Sequence, residues 1–337
     1  MSTPSATPPP PRRQVLVVAA LVSALVALAL WAFAWPAART APRDLPLGVA
    51  GPAAATAPVE SRLKEREGAF EIHRYADEAA ARAAIEDRAV YGAVVVTPQG
   101  MKLLTATAAS PVVAQLLQQS VAGQAPQGAE VTTDDVVAAP ADDPRGSALG
   151  ASVLPLAIAG VAAGAVVTLL GLRGVRAVAA LLLAAAAVGA VGAAVTHSWL
   201  GVLTGNWWAE AGALGLSALA VGATVAGCAA LLGPAGIGIG ALLMVLLGNP
   251  FSGVTSAPQL LPEPVGLIGQ LLPPGAGGSL LRSVSFFDGA RISGPVTTLA
   301  VWALLGLTAV LLGALRRRPA AVDAASDPEP APVPAAR

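Results

Sequence analysis

The chain holds one cysteine, Cys228, and two histidines, His73 and His197, so its inventory for nucleophilic or metal chemistry is short. A thiolate nucleophile needs a basic neighbour to take its proton. Cys228 sits in an apolar run, whereas both histidines fall in segments that read as lying outside a membrane. Cys228 is therefore expected as a small packing residue, and a single cysteine leaves no intramolecular disulfide. Lys64 and Lys102 are the only lysines. A P-loop needs a lysine after its glycine-rich turn to reach the phosphates, and the run Gly236-Ile237-Gly238-Ile239-Gly240 has none behind it. Any ATP that drives this protein is expected on another chain. With no nucleophile-base pair and no metal-ligand spacing, the chain reads as a non-enzyme with no catalytic residue, cofactor or metal.

The remaining polar residues with positional meaning are few. The apolar runs carry no Asp, Glu, Lys, Arg or His at mid-depth, and Glu210 stands at a helix start. Ion-coupled carriers usually place an ionisable group near the bilayer midplane, so a secondary transporter is disfavoured. Arg173 and Arg176 fall in a tight turn between two apolar runs, where a cytoplasmic partner could dock or where they could serve topology alone. Arg282, Asp288 and Arg291 close an irregular apolar stretch and could pair with one another, contact lipid headgroups or form a solvated cluster.

These residues need elements to hold them, and composition says which. The chain of 337 residues is 55% hydrophobic and only 12% charged, with a mean hydropathy of +0.68, far too apolar for an ordinary soluble chain of this length. Its formal net charge of zero gives no basic field for nucleic acid. The fold expected is a polytopic α-helical membrane protein with about six transmembrane helices and an extracytoplasmic α/β domain between the first and second.

In order, a Pro/Ser/Thr-rich cytoplasmic leader (1–14) precedes a first span at 15–36. A cleaved twin-arginine or secretory signal competes with that span, but Trp31, Trp35 and Pro36 resemble an interfacial helix end. Residues 37–146 form the water-facing domain. Leu45–Ala50, Ala69–Tyr75, Ala93–Thr97 and Lys102–Thr107 read as strands; Pro58–Glu67, Asp77–Arg88 and Pro111–Ala122 read as helices, Asp77 being an N-cap. Gly123–Arg145 reads as a linker.

Residues 147–318 form a five-helix transmembrane domain with spans at Ser147–Leu172, Ala177–Val195, Ala211–Leu232, Pro234–Leu247 and Pro295–Leu315. Within it, about 249–294 is too apolar for a solvated loop and too rich in proline to cross as one helix. It is expected to be re-entrant, with short helices near Ser256–Leu272 and Gly275–Phe287, or else an amphipathic hairpin in the interface. Residues 319–337 read as a disordered cytoplasmic tail. Arg12, Arg13, Arg173, Arg176, Arg316, Arg317 and Arg318 fall on one side of this arrangement, which places both termini in the cytoplasm of a multi-pass plasma-membrane protein. The pairs Gly160/Gly164, Ala185/Gly189 and Gly236/Gly240 permit close helix approach and would permit a homodimer.

The organisation of one span, a large outer α/β domain and then five spans with a re-entrant segment resembles the ABC-2-type transporter permeases, in particular the phage infection protein-like branch. The resemblance is carried by Tyr91-Gly92-Ala93-Val94-Val95-Val96-Thr97-Pro98, by Gly248-Asn249-Pro250-Phe251-Ser252-Gly253 and by Leu272-Pro273-Pro274-Gly275-Ala276-Gly277-Gly278. It implies the membrane half of an exporter, paired as a homodimer and driven by a separate cytoplasmic ABC ATPase subunit. Arg173 and Arg176 match the position of the family's ATPase-coupling contact. Asn249, Pro250, Phe251, Pro273, Pro274, Gly275, Gly278 and Asp288 mark its re-entrant segment. The alternative is a cell-envelope scaffold or surface receptor without transport activity.

Overall fold

The computed structural model describes residues 11–98, 100–122 and 131–316. Residues 1–10 of the expected leader, residues 123–130 of the expected linker, the side chain of Arg12, Arg317, Arg318 and the tail 319–337 lie outside them.

Residues 45–135 build a five-stranded sheet from β1 (Leu45–Ala50), β2 (Phe70–Tyr75), β3 (Gly92–Thr97), β4 (Gly100–Thr105) and β5 (Thr132–Asp135), ordered β2-β1-β3-β4-β5. β1 runs parallel to β2 and β3, β4 is antiparallel to β3, and β5 is parallel to β4. The inner strands β1 and β3 are apolar on both faces because both are covered. Leu45, Leu47, Val49, Val94 and Leu103 join a core with Leu63 of α2 (Ala53–Lys64) and Val113 and Leu117 of α4 (Pro111–Ala122). Ala50, Ala93, Val95 and Leu104 face α3 (Glu78–Glu86) through Ala81, Ala84 and Ile85. Asp77 caps α3 as expected, accepting a 2.9 Å hydrogen bond from the Ala80 N–H.

Two elements differ from expectation. α2 begins at Ala53 and not at Pro58, because Pro58 lies on an exposed turn where water can satisfy the carbonyl it leaves unpaired. The strand β5 lies in what reads as linker. Its sequence Thr-Thr-Asp-Asp has no apolar face, and side-chain bonds hold it: Asp134 pairs with Arg82 and Lys102, and Asp135 accepts from the Thr107 N–H at 2.9 Å.

The rest is a helical bundle. Among the described residues five helices are long and apolar enough to cross a membrane, over Arg13–Ala37, Ser147–Leu169, Gly174–Trp199, Trp207–Leu232 and Ser293–Arg316. They are α1 (Pro11–Ala37), α5 (Ser147–Leu169), α6 (Gly174–Ala193, extended by a π-helical turn, Ala194–Trp199), α7 (Trp207–Leu232) and α12 (Ser293–Arg316). The expected span Pro234–Leu247 is instead part of the apolar run Ala235–Phe251, shorter than those five helices and made of α8 (Ala235–Ala241), a π-helical stretch (Leu242–Gly248) and α9 (Asn249–Phe251). It still returns the chain along the bundle: Gly236 lies under Cys228 near the end of α7, and Phe251 meets the Trp31 ring edge-on near the end of α1. Gly174 lies against Ala314, so Arg173, Arg176 and Arg316 share the end of the bundle away from the α/β domain.

Helix α7 is the axis. A Cβ on Gly164 of α5 would lie 2.4 Å from the Gly222 carbonyl oxygen, and one on Gly189 of α6 2.3 Å from that of Ala211. A Cβ on Gly306 of α12 would lie 2.3 Å from the Ala223 carbonyl carbon, and one on Gly236 of α8 2.2 Å from the Cys228 oxygen. Backbones this close require glycine. All three small-residue pairs singled out in the sequence therefore face α7 within the same chain.

Two short helices follow α9: α10 (Val265–Gln270) and α11 (Pro273–Phe286). Pro273 and Pro274 open α11, where a missing N–H costs nothing. They pack among Val153, Leu214, Ser217 and Val221 inside the bundle, and α11 then climbs back until Phe287 joins the core beneath α3. Leu260 meanwhile enters the core on the opposite face of the sheet. The segment thus folds back into the bundle through one helix shorter than expected, α10, and one of about the expected length, α11, and the α/β domain is clamped to it from both faces. Two backbone bonds add a stitch: the N–H groups of Ala41 and Arg43 donate to Leu260 and Gln259 at 3.0 and 2.9 Å.

Candidate functional site

The clamp leaves a cavity of about 640 Å³ between the sheet domain and the segment that carries α10 and α11. Arg43, Asp44, Arg88 and Tyr91 line it from the domain; Gln259, Glu263, Leu267, Gln270, Ser279, Arg282 and Arg291 line it from the other side.

Each polar wall residue is placed by an identifiable local cause. Arg88 follows α3 with φ +57°, the left-handed position that ends many helices and usually falls to glycine or asparagine. An arginine there costs about 1 kcal/mol of backbone strain, and the conformation lets its side chain cross to α11. Its Nη1 donates to the Ser279 carbonyl at 3.0 Å and to the Ser283 hydroxyl, while its guanidinium lies 5.3 Å from the Phe287 ring centroid. Burial holds the Arg88 guanidinium below its ordinary value; Tyr91 opposes that shift and Arg291 adds to it. Asp44, Asp288 and Arg291 also have positive φ, so all four such non-glycine residues among those described stand on the wall or, for Asp288, in the turn just before Arg291. Strain gathered in one place is common at functional sites.

Tyr91 donates its hydroxyl to Gln259 Oε1 at 2.9 Å. Burial raises its pKa, with the charges of Arg88 and Arg282 acting against that. A polar chain runs beneath the cavity: Gln270 Nε2 donates to the Ser252 carbonyl at 2.7 Å, and the Ser279 hydroxyl donates to Gln270 Oε1 at 2.6 Å. Arg282 is buried, its Nη2 donating to the Val254 carbonyl at 2.7 Å, and its Nε has no partner. Arg291 donates from Nε to the Asp87 carbonyl at 3.1 Å.

From the sequence, Arg282, Asp288 and Arg291 could pair together, meet headgroups at the surface or form a solvated cluster. Among the described residues no ion pair joins them, and Arg282 is enclosed because α11 turns it inward toward Val254. Pro273, Pro274, Gly275 and Gly278 are all buried at the deep tip, and Asn249, Pro250 and Phe251 form α9 beside α1, away from the cavity wall. Asp288 is exposed in the turn after α11. Arg173 borders a separate cavity of about 100 Å³ with Val167, Ala229 and Gly313 at the other end of the bundle, and Arg176 sits in the first turn of α6. Arg88, Tyr91, Arg43 and Gln259 were not singled out as site residues. The one signal for Arg88 was an arginine where a helix C-terminus normally wants glycine.

Glu210 shows what a helix-start acid does here. It is fully buried, its Oε1 accepts the Gly205 N–H at 2.8 Å, and its Oε2 lies 2.8 Å from His197 Nδ1. It closes the loop 200–206 onto the end of α6. No protein-family model, curated protein or solved structure matches the chain.

Proposed function

We propose that this chain is the membrane-spanning permease subunit of an ABC-2-type exporter, moving its substrate across the plasma membrane with energy from a separate cytoplasmic ATPase. The observation that carries the reading is the re-entrant tip Leu272–Gly278, buried inside the bundle and continued by α11 to the cavity under the α/β domain. Irregular backbone at membrane depth needs protein or a wet cavity around it. Transport proteins use such broken helices at their pathways, whereas an anchor has no need of one. The proposal has both termini and the Arg173 end in the cytoplasm and the α/β domain outside, following the arginine distribution. It also has two copies forming the pathway. Since the small-residue pairs are already spent on α7, the second copy packs through other faces.

A second reading, an envelope receptor or scaffold, is favoured by one feature. The connection between α5 and α6 is only Leu170–Arg173, a small surface for an ATPase to push on.

Purification from native cells in mild detergent, with identification of co-purifying chains and an ATP hydrolysis assay, decides between them. The exporter reading expects a stoichiometric P-loop ATPase with vanadate-sensitive activity, lost from the complex when Arg173 and Arg176 are both replaced by Glu. Recovery without any ATPase, also after cross-linking, overturns it in favour of the receptor.

A further inference from the structure

The cavity under the α/β domain carries more positive charge than its own side chains neutralise. Arg43, Arg88, Arg282 and Arg291 stand on its wall, against two acids, Asp44 and Glu263, both exposed. Arg43 is largely occupied by the carbonyls of Arg39, Ala41 and Leu260. Among the described residues Arg88, Arg282 and Arg291 form no salt bridge with any carboxylate. Arg282 is only 6% exposed and its Nε is unpartnered. Neutral carbonyls offset part of the cost of removing a guanidinium from water; an anion offsets much more, through short charge-assisted bonds that a planar fork can make in pairs.

The second observation is apolar. On α10 and just after it, at the side of this cavity, Leu267, Ile268 and Leu271 are 68%, 42% and 58% exposed, and Leu267 is itself a wall residue. A basic recess and an apolar ledge are thus joined through one residue, which is the surface an amphiphile needs and a simple anion does not. We propose that the cavity binds the phosphate head of an anionic amphiphile, with its acyl chains lying along Leu267, Ile268 and Leu271. Arg88, Arg282 and Arg291 hold the phosphate oxygens, and the Tyr91–Gln259 pair and Gln270 supply neutral contacts to the rest of the head. The strained backbone at Arg88 and Arg291 is what brings two of these guanidinium groups to one recess. The assignment stands on the cavity and not on the exporter reading, which succeeds or fails on its ATPase.

The test titrates the full-length protein in a neutral detergent with dioctanoyl phosphatidylglycerol, dioctanoyl phosphatidylcholine and inorganic phosphate, using calorimetry. Phosphatidylglycerol should bind ~10-fold or more tightly than either of the others. Arg88→Gln and Arg291→Gln should each weaken it by ~10-fold while the melting temperature of Arg291→Gln, a rim variant, stays unchanged. Leu267→Asn with Leu271→Asn should weaken the lipid and leave inorganic phosphate as it was. Equal binding of the two lipids, or unchanged lipid affinity in a folded Arg291→Gln protein, overturns the proposal. Inorganic phosphate binding as tightly as phosphatidylglycerol also overturns it, leaving a site for a soluble anion.

Discussion

Helices α1 and α7 are both long, apolar and nearly uncharged, yet they occupy opposite positions in the protein. In the most apolar stretch of α1, of hydropathy 2.7, 6% is buried; in that of α7, of hydropathy 1.9, 67% is. The less apolar helix is the central one. α1 is Leu, Val and Ala with no glycine, and touches the rest only near its end, where Trp31 and Trp35 stack at 5.9 Å and Trp31 meets Phe251. α7 carries Gly212, Gly215, Gly222 and Gly227 and lets four helices approach its backbone. Against lipid, apolar surface confers no preference for another helix, so close van der Waals approach decides who packs. Hydropathy finds the spans; small residues find the axis.

The contrast breaks most readily at Gly306. Gly306→Val forces α12 away from Ala223 and should cost about 3 kcal/mol or more, read as a lower midpoint in a denaturing-detergent titration. A change under about 0.5 kcal/mol would mean that α7 is not held by backbone proximity. Next is Glu210→Ala, which leaves the Gly205 N–H and His197 without their acceptor at the start of α7. We expect a loss of about 2 kcal/mol in the same titration and faster proteolysis of the loop 200–206.

A smaller effect tests a region held by ions and not by helices. Hydrogen bonds from Lys102 first, then Arg82, keep both Glu78 and Asp134 below their ordinary carboxylate pKa values. Stability from lowered acids is in place above their ordinary values, 4.5 and 3.8, and is lost as pH falls through the lowered ones. All four side chains are roughly a third exposed, which screens the pairs. Lys102→Met should therefore cost at most about 1 kcal/mol at neutral pH, and the difference from the parent protein should shrink as pH falls below 3.8. Smallest of all, Leu21→Ala on the exposed flank of α1 should change stability by less than about 0.5 kcal/mol. A larger loss would place a partner on that flank.

How much of this was readable beforehand depends on whether a residue's role was local. The short apolar run Leu45–Ala50, the β-branched run Ala93–Thr97, the Asp77 cap and the proline interruptions all announce themselves within a few positions, and those elements fall where the sequence puts them. Thr132–Asp135 does not, because its pairing depends on Arg82 and Lys102 far back in the chain. The candidate site is the extreme case: Arg88 and Arg282 belong to different parts of the protein, and neither carries a motif. The tip Pro273-Pro274-Gly275 was visible as a break in a helix, but its burial against α7 depends on which helices stand nearby.

The stitch between Arg43 and Leu260 has a consequence for biosynthesis. Its two ends are 217 residues apart in the chain. The sheet is complete once residue 135 has been made, whereas the groups that clamp it, Leu260 and Phe287, leave the ribosome only after three more long helices. Until then the newborn domain waits with two apolar sockets uncovered, and contacts of such separation form late because a long loop must close first. Chaperone engagement of the nascent chain should therefore peak between those two moments and end when α11 arrives.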